Sequence, residues 1–511
     1  MSAFFKTFEP SEGELLGNAV GSIDLGLSFK AYDVRGIVGE TITAATVEAT
    51  GAAFVDVLSL AGQTVLVGGD MRPSSPEFAA AFAHGAAGRG ANIQMLGLIS
   101  TDELYYACGS LDAAGVVFTA SHNPAQYNGL KMAKPGAVPV SSDTGMFDIR
   151  DLAQKYLETG IPDGTEPGTI SETNVLAGYA SYLRSLVDLA GIRPLKVVVD
   201  AGNGMAGMTT PAVLGDTLLP ALPLQVVPLY FELDGTFPNH PANPLEPENL
   251  VDLQAAVIEH GADLGLAFDG DADRCFVIDD TGAVVSPSAI TALVARREIA
   301  RALAAGEENP AVIHNLITSR AVPETITAAG GRPVRTRVGH SFIKAHMAEE
   351  KAVFGGEHSA HYYFRDFYNA DTGMLAAMHV LAALGEQDVP LSKLAAEYDP
   401  YHATGELNSQ VEDKDAAIAR VLADFAPALA SDPAAAGTDT TAAGCPAAYA
   451  GTGVSVDRLD GTTVIADDGT WWFNLRPSNT EPFLRLNAEA TSPGLLETLR
   501  GHVLARVRGT A

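Results

Sequence analysis

The sequence predicts an α/β protein in four units, and three observations carry that expectation. Short β-branched runs recur, each closed by a polar or glycine-rich loop. Alanine-rich segments of helical period lie between several of them, an alternation that marks α/β domains. After about Tyr401 the pattern changes to strand-like runs with few intervening helices. At ~150 residues per domain, 511 residues exceed what one core usually organises.

The strand candidates cover 64–68, 115–119, 196–200, 264–268, 311–315 and 352–356, with 288–305 as a helical segment. Ligands in such sheets gather at the carboxyl ends of strands, so the loops after these runs are where chemistry is expected. The turn-rich stretch 161–169 reads as a linker, and weaker breaks fall near 285–288 and 399–402. The units are therefore 1–168, 169–285, 286–400 and 401–511, the last being α+β with strand-like runs at 453–457, 462–465 and 471–475 and a helix near each end. Residues 426–450 hold 11 Ala and no Lys or Arg, and read as a loose surface insertion.

Composition narrows the function. Thirty-two Lys and Arg against 62 Asp and Glu give a formal charge of −30, which repels a nucleic-acid backbone. A small anion is still admissible, because screening over ~8 Å lets a few cations in a cleft outweigh a distant acidic surface. Cys108, Cys275 and Cys445 form no CxxC pair, and an odd count argues for a reducing compartment. The first ten residues lack a basic region followed by an apolar core, and the longest uncharged apolar stretch, 217–231, contains three prolines. A cytoplasmic protein with no membrane and no nucleic-acid partner is expected.

Four segments carry chemistry. Phe268-Asp269-Gly270-Asp271-Ala272-Asp273-Arg274 follows a strand candidate, and alternate acids on a tight loop aim oxygens at one hard cation. A calcium hand needs Gly at its sixth position and Glu at its twelfth; Arg274 and Asp280 stand there, so Mg²⁺ fits better. Thr119-Ala120-Ser121-His122-Asn123-Pro124-Ala125-Gln126-Tyr127-Asn128-Gly129-Leu130-Lys131 presents a serine that is either a nucleophile or a turn cap. Arg476-Pro477-Ser478-Asn479-Thr480-Glu481-Pro482 offers a guanidinium, hydroxyls and backbone N–H groups, the makings of a phosphate cradle, or else a proline-bounded polar turn. Gly356-Glu357-His358-Ser359-Ala360-His361 can grip sugar hydroxyls, hold a metal, or merely place two histidines in core hydrogen bonds. Lys30 to Gly36 and Arg337 to Ser341 add cations near turns.

A competing motif is Lys196-Val-Val-Val-Asp200-Ala-Gly202-Asn-Gly204-Met-Ala-Gly207, a strand plus GxGxxG with Glu232 beyond it, as in dinucleotide sites. Against it, the following Met208-Thr-Thr-Pro211 is a doubtful helix opening, and a cofactor reading leaves the three aspartates idle.

Taken in order, the four segments resemble the motifs of the α-D-phosphohexomutase superfamily, in its phosphomannomutase/phosphoglucomutase branch, over nearly the whole chain. The resemblance implies a heart-shaped arrangement of three similar α/β domains with mixed sheets and a smaller, mobile α+β domain. It implies that Ser121 carries a phosphoryl group and that one Mg²⁺ is held by Asp269, Asp271, Asp273 and a phosphoserine oxygen. Arg35, His122 and Lys131 would surround that phosphate, with Arg274 approaching from the metal loop. Glu357 and Ser359 would bind sugar hydroxyls, and His340 and His361 would lie near the reacting hydroxyl. Arg476, Ser478, Asn479 and Thr480 would hold the phosphate not being transferred. Ala272 stands where the family commonly has Gly, and His358 and Ala360 stand where Met and Gly are frequent; these departures bear on substrate preference.

The implied activity interconverts a hexose 6-phosphate and its 1-phosphate, mannose before glucose, through a hexose 1,6-bisphosphate that also serves as activator. The expected partner is a small sugar phosphate, and a monomer or homodimer is expected. The alternatives are a phosphoglucosamine mutase, a dinucleotide-dependent oxidoreductase and a non-catalytic sugar-phosphate sensor.

Overall fold

The computed structural model describes residues 23–162, 166–429, 453–478 and 482–509. Four sheets order them. In the first, the strands run Val34–Ile37, Tyr127–Lys134, Ala114–Phe118, Thr64–Gly69, Asn92–Leu98 and Ile170–Glu172, with Val138–Pro139 added beside Tyr127–Lys134. The second runs Val284–Val285, Cys275–Ile278, Leu264–Phe268, Leu195–Asp200 and Leu224–Leu229, and the third Arg332–Thr336, Ala311–Asn315, Phe354–Gly356, Tyr362–Phe364 and Ala370–Asp371.

These three sheets share one device. Parallel strands fed by helical crossovers lead to a last parallel strand, and the chain then turns back antiparallel: Ala114–Phe118 into Tyr127–Lys134, Leu264–Phe268 into Cys275–Ile278, Phe354–Gly356 into Tyr362–Phe364. The serine, aspartate and histidine loops are those three turn-backs. Each carries a non-glycine residue in the left-handed region: Ser121 at φ 50°, Ala272 at 62° and Ala360 at 64°. A side chain there costs backbone energy and persists where the surroundings fix the loop.

The fourth sheet is wholly antiparallel, in the order His402–Gln410, Phe483–Ala490, Trp471–Pro477, Thr462–Ala466, Val454–Asp457, covered by helices Lys414–Leu429 and Pro493–Arg508. Its apolar core, around Phe425, Trp471, Phe473, Leu499 and Val503, is separate from the rest. One continuous apolar cluster, by contrast, runs through the first three units from Leu66 to Tyr398. Burial thus welds three units together, while the fourth keeps its own core and meets the third through contacts that include Arg320 N with Glu489 and Arg335 with Asp457.

Three local expectations need correction. Ile170–Glu172 lies beyond the boundary at 168 yet pairs in parallel with Asn92–Leu98 in the first sheet, because that strand's edge offers it a ladder. The helix Ala206–Val213 forms despite Pro211, which sits in its second half and costs it a single backbone bond. Residues 426–429 of the alanine-rich stretch continue the helix Lys414–Leu429, consistent with the high helix propensity of Ala, while 430–450 lie outside the described residues, as does Cys445. Cys108 and Cys275 are buried free thiols whose pKa burial raises. No helix among the described residues is long and apolar enough to cross a membrane.

Candidate active site

Ser121 sits at the tip of the first turn-back, 3% exposed, with its N–H donating to Thr119 Oγ1 at 2.9 Å. Its hydroxyl donates to Asp269 Oδ2 at 2.8 Å and lies 3.2 Å from His122 Nδ1. The two loops meet backbone to backbone. A Cβ on Gly270 would lie 2.5 Å from the Ser121 carbonyl oxygen, so only glycine lets the aspartate loop come this close.

The three aspartates are fully buried or nearly so, and one carboxylate oxygen from each lies within 4.8 Å of the others. Asp269 accepts from Ser121 and from the Arg274 guanidinium, and burial pushes its carboxyl up to about 7 against the pull of Arg274. Lys131 Nζ donates to Asp271 Oδ2 at 2.7 Å and to Asp273 Oδ2 at 2.6 Å. Burial raises both of these acids, but the Lys131 ammonium outweighs it, holding Asp271 below its usual range and Asp273 at about 2. Thr101 ties the same loop to the first unit, its N–H reaching Asp271 O at 3.1 Å and its hydroxyl Asp271 Oδ2 at 2.6 Å.

Asp271 Oδ1 and Asp273 Oδ1 are buried without a hydrogen-bond partner. Buried ionised oxygens without partners are costly, and two of them converging beside a third carboxylate make a site for a hard cation with oxygen ligands. The donor set therefore fits a divalent metal such as Mg²⁺.

Cations close the other side of Ser121. Arg274, 2% exposed, donates through Nε to Asp269 Oδ2 at 2.9 Å, and its Nη2 hydrogen-bonds His122 Nδ1 and lies 3.5 Å from Ser121 Oγ. Burial, then Arg274 and Arg35, depress the His122 imidazole to about 2, so it is neutral and accepts from Arg274. Arg35 reaches the serine loop through Asn123 Oδ1 and is steadied by Asp33 at 2.7 Å.

The third turn-back joins the first two. Arg274 and His361 form an antiparallel backbone bridge, and His361 Nε2 lies 3.9 Å from Asp273 Oδ1. Burial depresses His361 to about 4, and Ser359 Oγ lies 3.1 Å from its Nδ1. Glu357 is held by Asn315 Nδ2 at 3.1 Å and Tyr363 OH at 2.7 Å.

The structure thus gathers Ser121, His122, Lys131, Arg35, Asp269, Asp271, Asp273, Arg274, Glu357, Ser359 and His361. Lys131 is held by two buried carboxylates of the aspartate loop, Asp271 and Asp273. Arg476 and Ser478 belong to a separate cluster on the fourth sheet, where Arg476 Nη2 donates to Glu406 Oε2 at 3.3 Å and Lys414 Nζ donates to Ser478 O at 2.6 Å. His340 opens the helix His340–Glu350, and Asn479 and Thr480 lie outside the described residues.

Sequence reasoning missed Arg72. Its guanidinium, 1% exposed, donates to four carbonyl oxygens of the serine loop: Ser121 at 2.8 Å, Asn123 at 2.7 Å, Pro124 at 2.9 Å and Tyr127 at 2.9 Å. Asp70 steadies it at 3.3 Å. The available signal was Gly69-Asp70-Met71-Arg72, an acid and a cation two apart at the carboxyl end of a strand. Asp102 was also missed; it accepts from Tyr179 OH at 2.6 Å and Thr372 Oγ1 at 2.7 Å, joining the first three units beside the metal loop.

The glycine fingerprint at 202–207 has a different employment. A Cβ on Gly204 would lie 2.7 Å from Gly270 O, and Met205 N donates to that same oxygen at 2.9 Å. Its glycine spacing serves to seat the aspartate loop.

Comparison with known proteins agrees with this geometry. Models of the four phosphoglucomutase/phosphomannomutase domains match in order: alpha/beta/alpha domain I at residues 26–159, domain II at 177–282, domain III at 286–401 and the C-terminal domain at 406–505. The chain is 38% identical over 486 residues to the phosphohexose mutases protein of Xanthomonas campestris pv. campestris, covering 94% of this chain and 99% of that one. It is 36% identical over 466 residues to a phosphomannomutase of Escherichia coli K12, covering 90% and 94%. A crystal structure of a phosphoglucomutase/phosphomannomutase family protein from Burkholderia thailandensis superposes with a TM-score of 0.77 at 28% identity, covering 95% of this chain and 98% of that one. With its fold, its motifs in order and its relatives in agreement, the chain belongs to the phosphoglucomutase/phosphomannomutase family.

Proposed function

We infer that this chain is a hexose phosphate mutase, interconverting a hexose 6-phosphate and its 1-phosphate, with mannose preferred and glucose accepted. The observation that carries the reading is Ser121 Oγ at 2.8 Å from Asp269 Oδ2, beside two unpartnered carboxylate oxygens and the Arg274 guanidinium. A hydroxyl placed among a cation site and a guanidinium is arranged for phosphoryl transfer, where catalysis rests on positioning and charge neutralisation.

Asp269, Asp271, Asp273 and a phosphate oxygen on Ser121 would hold Mg²⁺. When bound, Mg²⁺ offsets the negative charge of the phosphoryl group in transit. The protein's own groups do the rest. The bond between phosphorus and Ser121 Oγ breaks while a sugar hydroxyl oxygen bonds to phosphorus, and that hydroxyl's proton passes to a neutral base. His361, with Ser359 Oγ 3.1 Å from its Nδ1 and its Nε2 3.9 Å from Asp273 Oδ1, is the candidate to receive it, with His340 as the other. The resulting hexose 1,6-bisphosphate reverses its orientation and returns its other phosphoryl group to Ser121 Oγ, while the protonated base gives its proton to the sugar oxygen that leaves phosphorus, so the phosphoserine is regenerated. Arg274 and His122 flank the serine oxygen, and Lys131 keeps the aspartate pair ionised.

Glu357 and Ser359 are placed to select sugar hydroxyls, and Arg476, Ser478, Asn479 and Thr480 to hold the phosphate that stays. The domain limits follow the sequence reading, with the first moved past Glu172 to keep its sheet whole. We place the protein in the cytoplasm, acting as monomer or homodimer. The test is a magnesium-dependent assay of mannose, glucose and glucosamine 1-phosphates side by side. Mannose 1-phosphate should turn over fastest; preferential turnover of glucosamine 1-phosphate would reassign the substrate, and absence of all three activities would overturn the reading.

A further inference from the structure

Two acids of the aspartate loop divide their oxygens in the same way. Asp271 and Asp273 each leave Oδ1 buried without a hydrogen-bond partner and commit Oδ2 to the protein. Lys131 Nζ donates to both Oδ2 atoms, at 2.7 and 2.6 Å. On Asp271 that oxygen takes a second donor, the Thr101 hydroxyl at 2.6 Å, from a residue 170 positions earlier in the chain.

The first turn of a helix puts Thr101 there. Ser100-Thr101-Asp102-Glu103 has the spacing of a capping box, and the box forms: Ser100 Oγ accepts from Glu103 N at 3.3 Å, and Glu103 Oε2 accepts from Ser100 N at 2.9 Å. Thr101 therefore opens the helix Thr101–Ser110, just beyond the carboxyl end of Asn92–Leu98. Its N–H, which the first helical turn leaves without an internal partner, donates to Asp271 O at 3.1 Å. Asp102 pins the same turn, accepting from Tyr179 OH at 2.6 Å and Thr372 Oγ1 at 2.7 Å. Fully buried, with χ1 restricted by β-branching, Thr101 holds its hydroxyl on that one oxygen.

Two donors on one oxygen set how the acid can bind a cation. If Oδ2 of Asp271 turned to a metal, it would strand buried donors, which is costly, so Asp271 offers one oxygen and not two. That suits Mg²⁺, which takes about six oxygens in near-ideal octahedral geometry, better than Ca²⁺, which takes about six to eight and often reaches that number through carboxylates that supply both oxygens.

Resting on the reading of the three aspartates as Mg²⁺ ligands, we propose that Thr101 is a positioning residue that fixes Asp271 as a single-oxygen ligand and so selects Mg²⁺ over Ca²⁺. Lys131 acts on both acids through its charge; Thr101 adds direction without charge. It touches no reacting atom and works through Asp271 alone. Because Thr101 belongs to the first unit and Asp271 to the second, the cation preference of the loop is set across the boundary between them.

The experiment is calorimetric titration of the metal-free full chain with magnesium chloride and, separately, with calcium chloride, for the parent, Thr101→Val, Thr101→Cys, Thr101→Ser and Asp273→Asn. Valine keeps the side chain's shape and removes the donor; cysteine leaves only a weak donor and serves if the valine variant does not fold. Each should raise the Mg²⁺ dissociation constant about tenfold, as for loss of a partner that orients a metal ligand, while the Ca²⁺ constant changes by less than about twofold. Thr101→Ser keeps the hydroxyl and should keep the preference for Mg²⁺. An unchanged Mg²⁺ constant in the valine or cysteine variant, equal losses for the two cations, or loss of the preference in Thr101→Ser would overturn the proposal. A parent that binds no Mg²⁺, or an Asp273→Asn variant that binds it as the parent does, would instead overturn the metal reading on which the proposal rests.

Discussion

The molecule has two polar centres built on opposite plans. Where the serine and aspartate loops meet, Ser121, Asp269, Asp271, Asp273 and Arg274 are all 3% exposed or less, and each is fixed by partners from another loop. On the fourth sheet, Arg476, Arg485 and Glu406 are partly exposed, and the Glu406 carboxylate pairs with both arginines. The first centre lies within the apolar cluster common to three units; the second sits on a unit with its own core. A phosphoryl donor needs fixed geometry and little water, and burial supplies both. On the reading proposed above, the fourth-sheet cluster admits, releases and re-admits a substrate in two orientations, which needs contacts that exchange, and partly exposed ion pairs supply those because each is worth little on its own.

That contrast can be sharpened by mutation, beginning at the buried centre. Asp271→Asn removes one ligand charge and leaves Lys131 with a single acid; turnover should fall about a thousandfold, with metal affinity measured by calorimetry falling in parallel. Retention of both would show that the metal sits elsewhere. Arg72→Lys replaces a fork that binds four carbonyls with one ammonium. The serine loop should lose its aim, lowering kcat about a hundredfold with KM nearly unchanged. Equal losses in thermal stability and KM, with kcat intact, would make Arg72 a structural residue only.

A smaller effect concerns pH. Glu103, buried at the start of the helix Thr101–Ser110, accepts from Ser100 N at 2.9 Å, and burial raises it from 4.5 to about 8. The folded state therefore binds a proton that the unfolded chain gives up near 4.5. Stability from this group is full below pH 4.5 and is lost as pH rises to about 8. Glu103→Gln should gain on the parent by a few kcal/mol between pH 5 and 8.5, read from denaturant midpoints. A pH-independent difference would show that the carboxyl titrates normally.

The smallest effect is at Ala272, held at φ 62° in the aspartate loop. Ala272→Gly should relieve the left-handed strain and raise Tm by about 1–2 °C. A lower Tm would mean the buried methyl's packing outweighs the strain.

Much of this was readable from local pattern. The β-branched runs became strands because their residues suit buried sheet positions, and each chemical motif fell at a strand's end as the α/β grammar requires. The unreadable parts are those fixed by distant partners. Lys131 reaches acids 140 and 142 positions away, and Asp102 meets Thr372 across 270, separations on which sequence spacing is silent. The GxGxxG stretch misleads for a related reason: a glycine demanded by backbone approach to Gly270 has the same sequence signature as one demanded by a cofactor. Ala272 and Ala360, read from sequence as departures bearing on substrate preference, stand at left-handed positions, so a backbone demand explains why glycine suits those places.

The most direct measurement is the intact mass of the protein, and of its Ser121→Ala variant, after brief exposure to hexose 1,6-bisphosphate and magnesium, followed by peptide mapping. The expected result is one added phosphate on the peptide bearing Ser121 in the parent, and neither label nor mutase activity in the variant. Full mutase activity in Ser121→Ala, or a phosphate mapped to another residue, would contradict it.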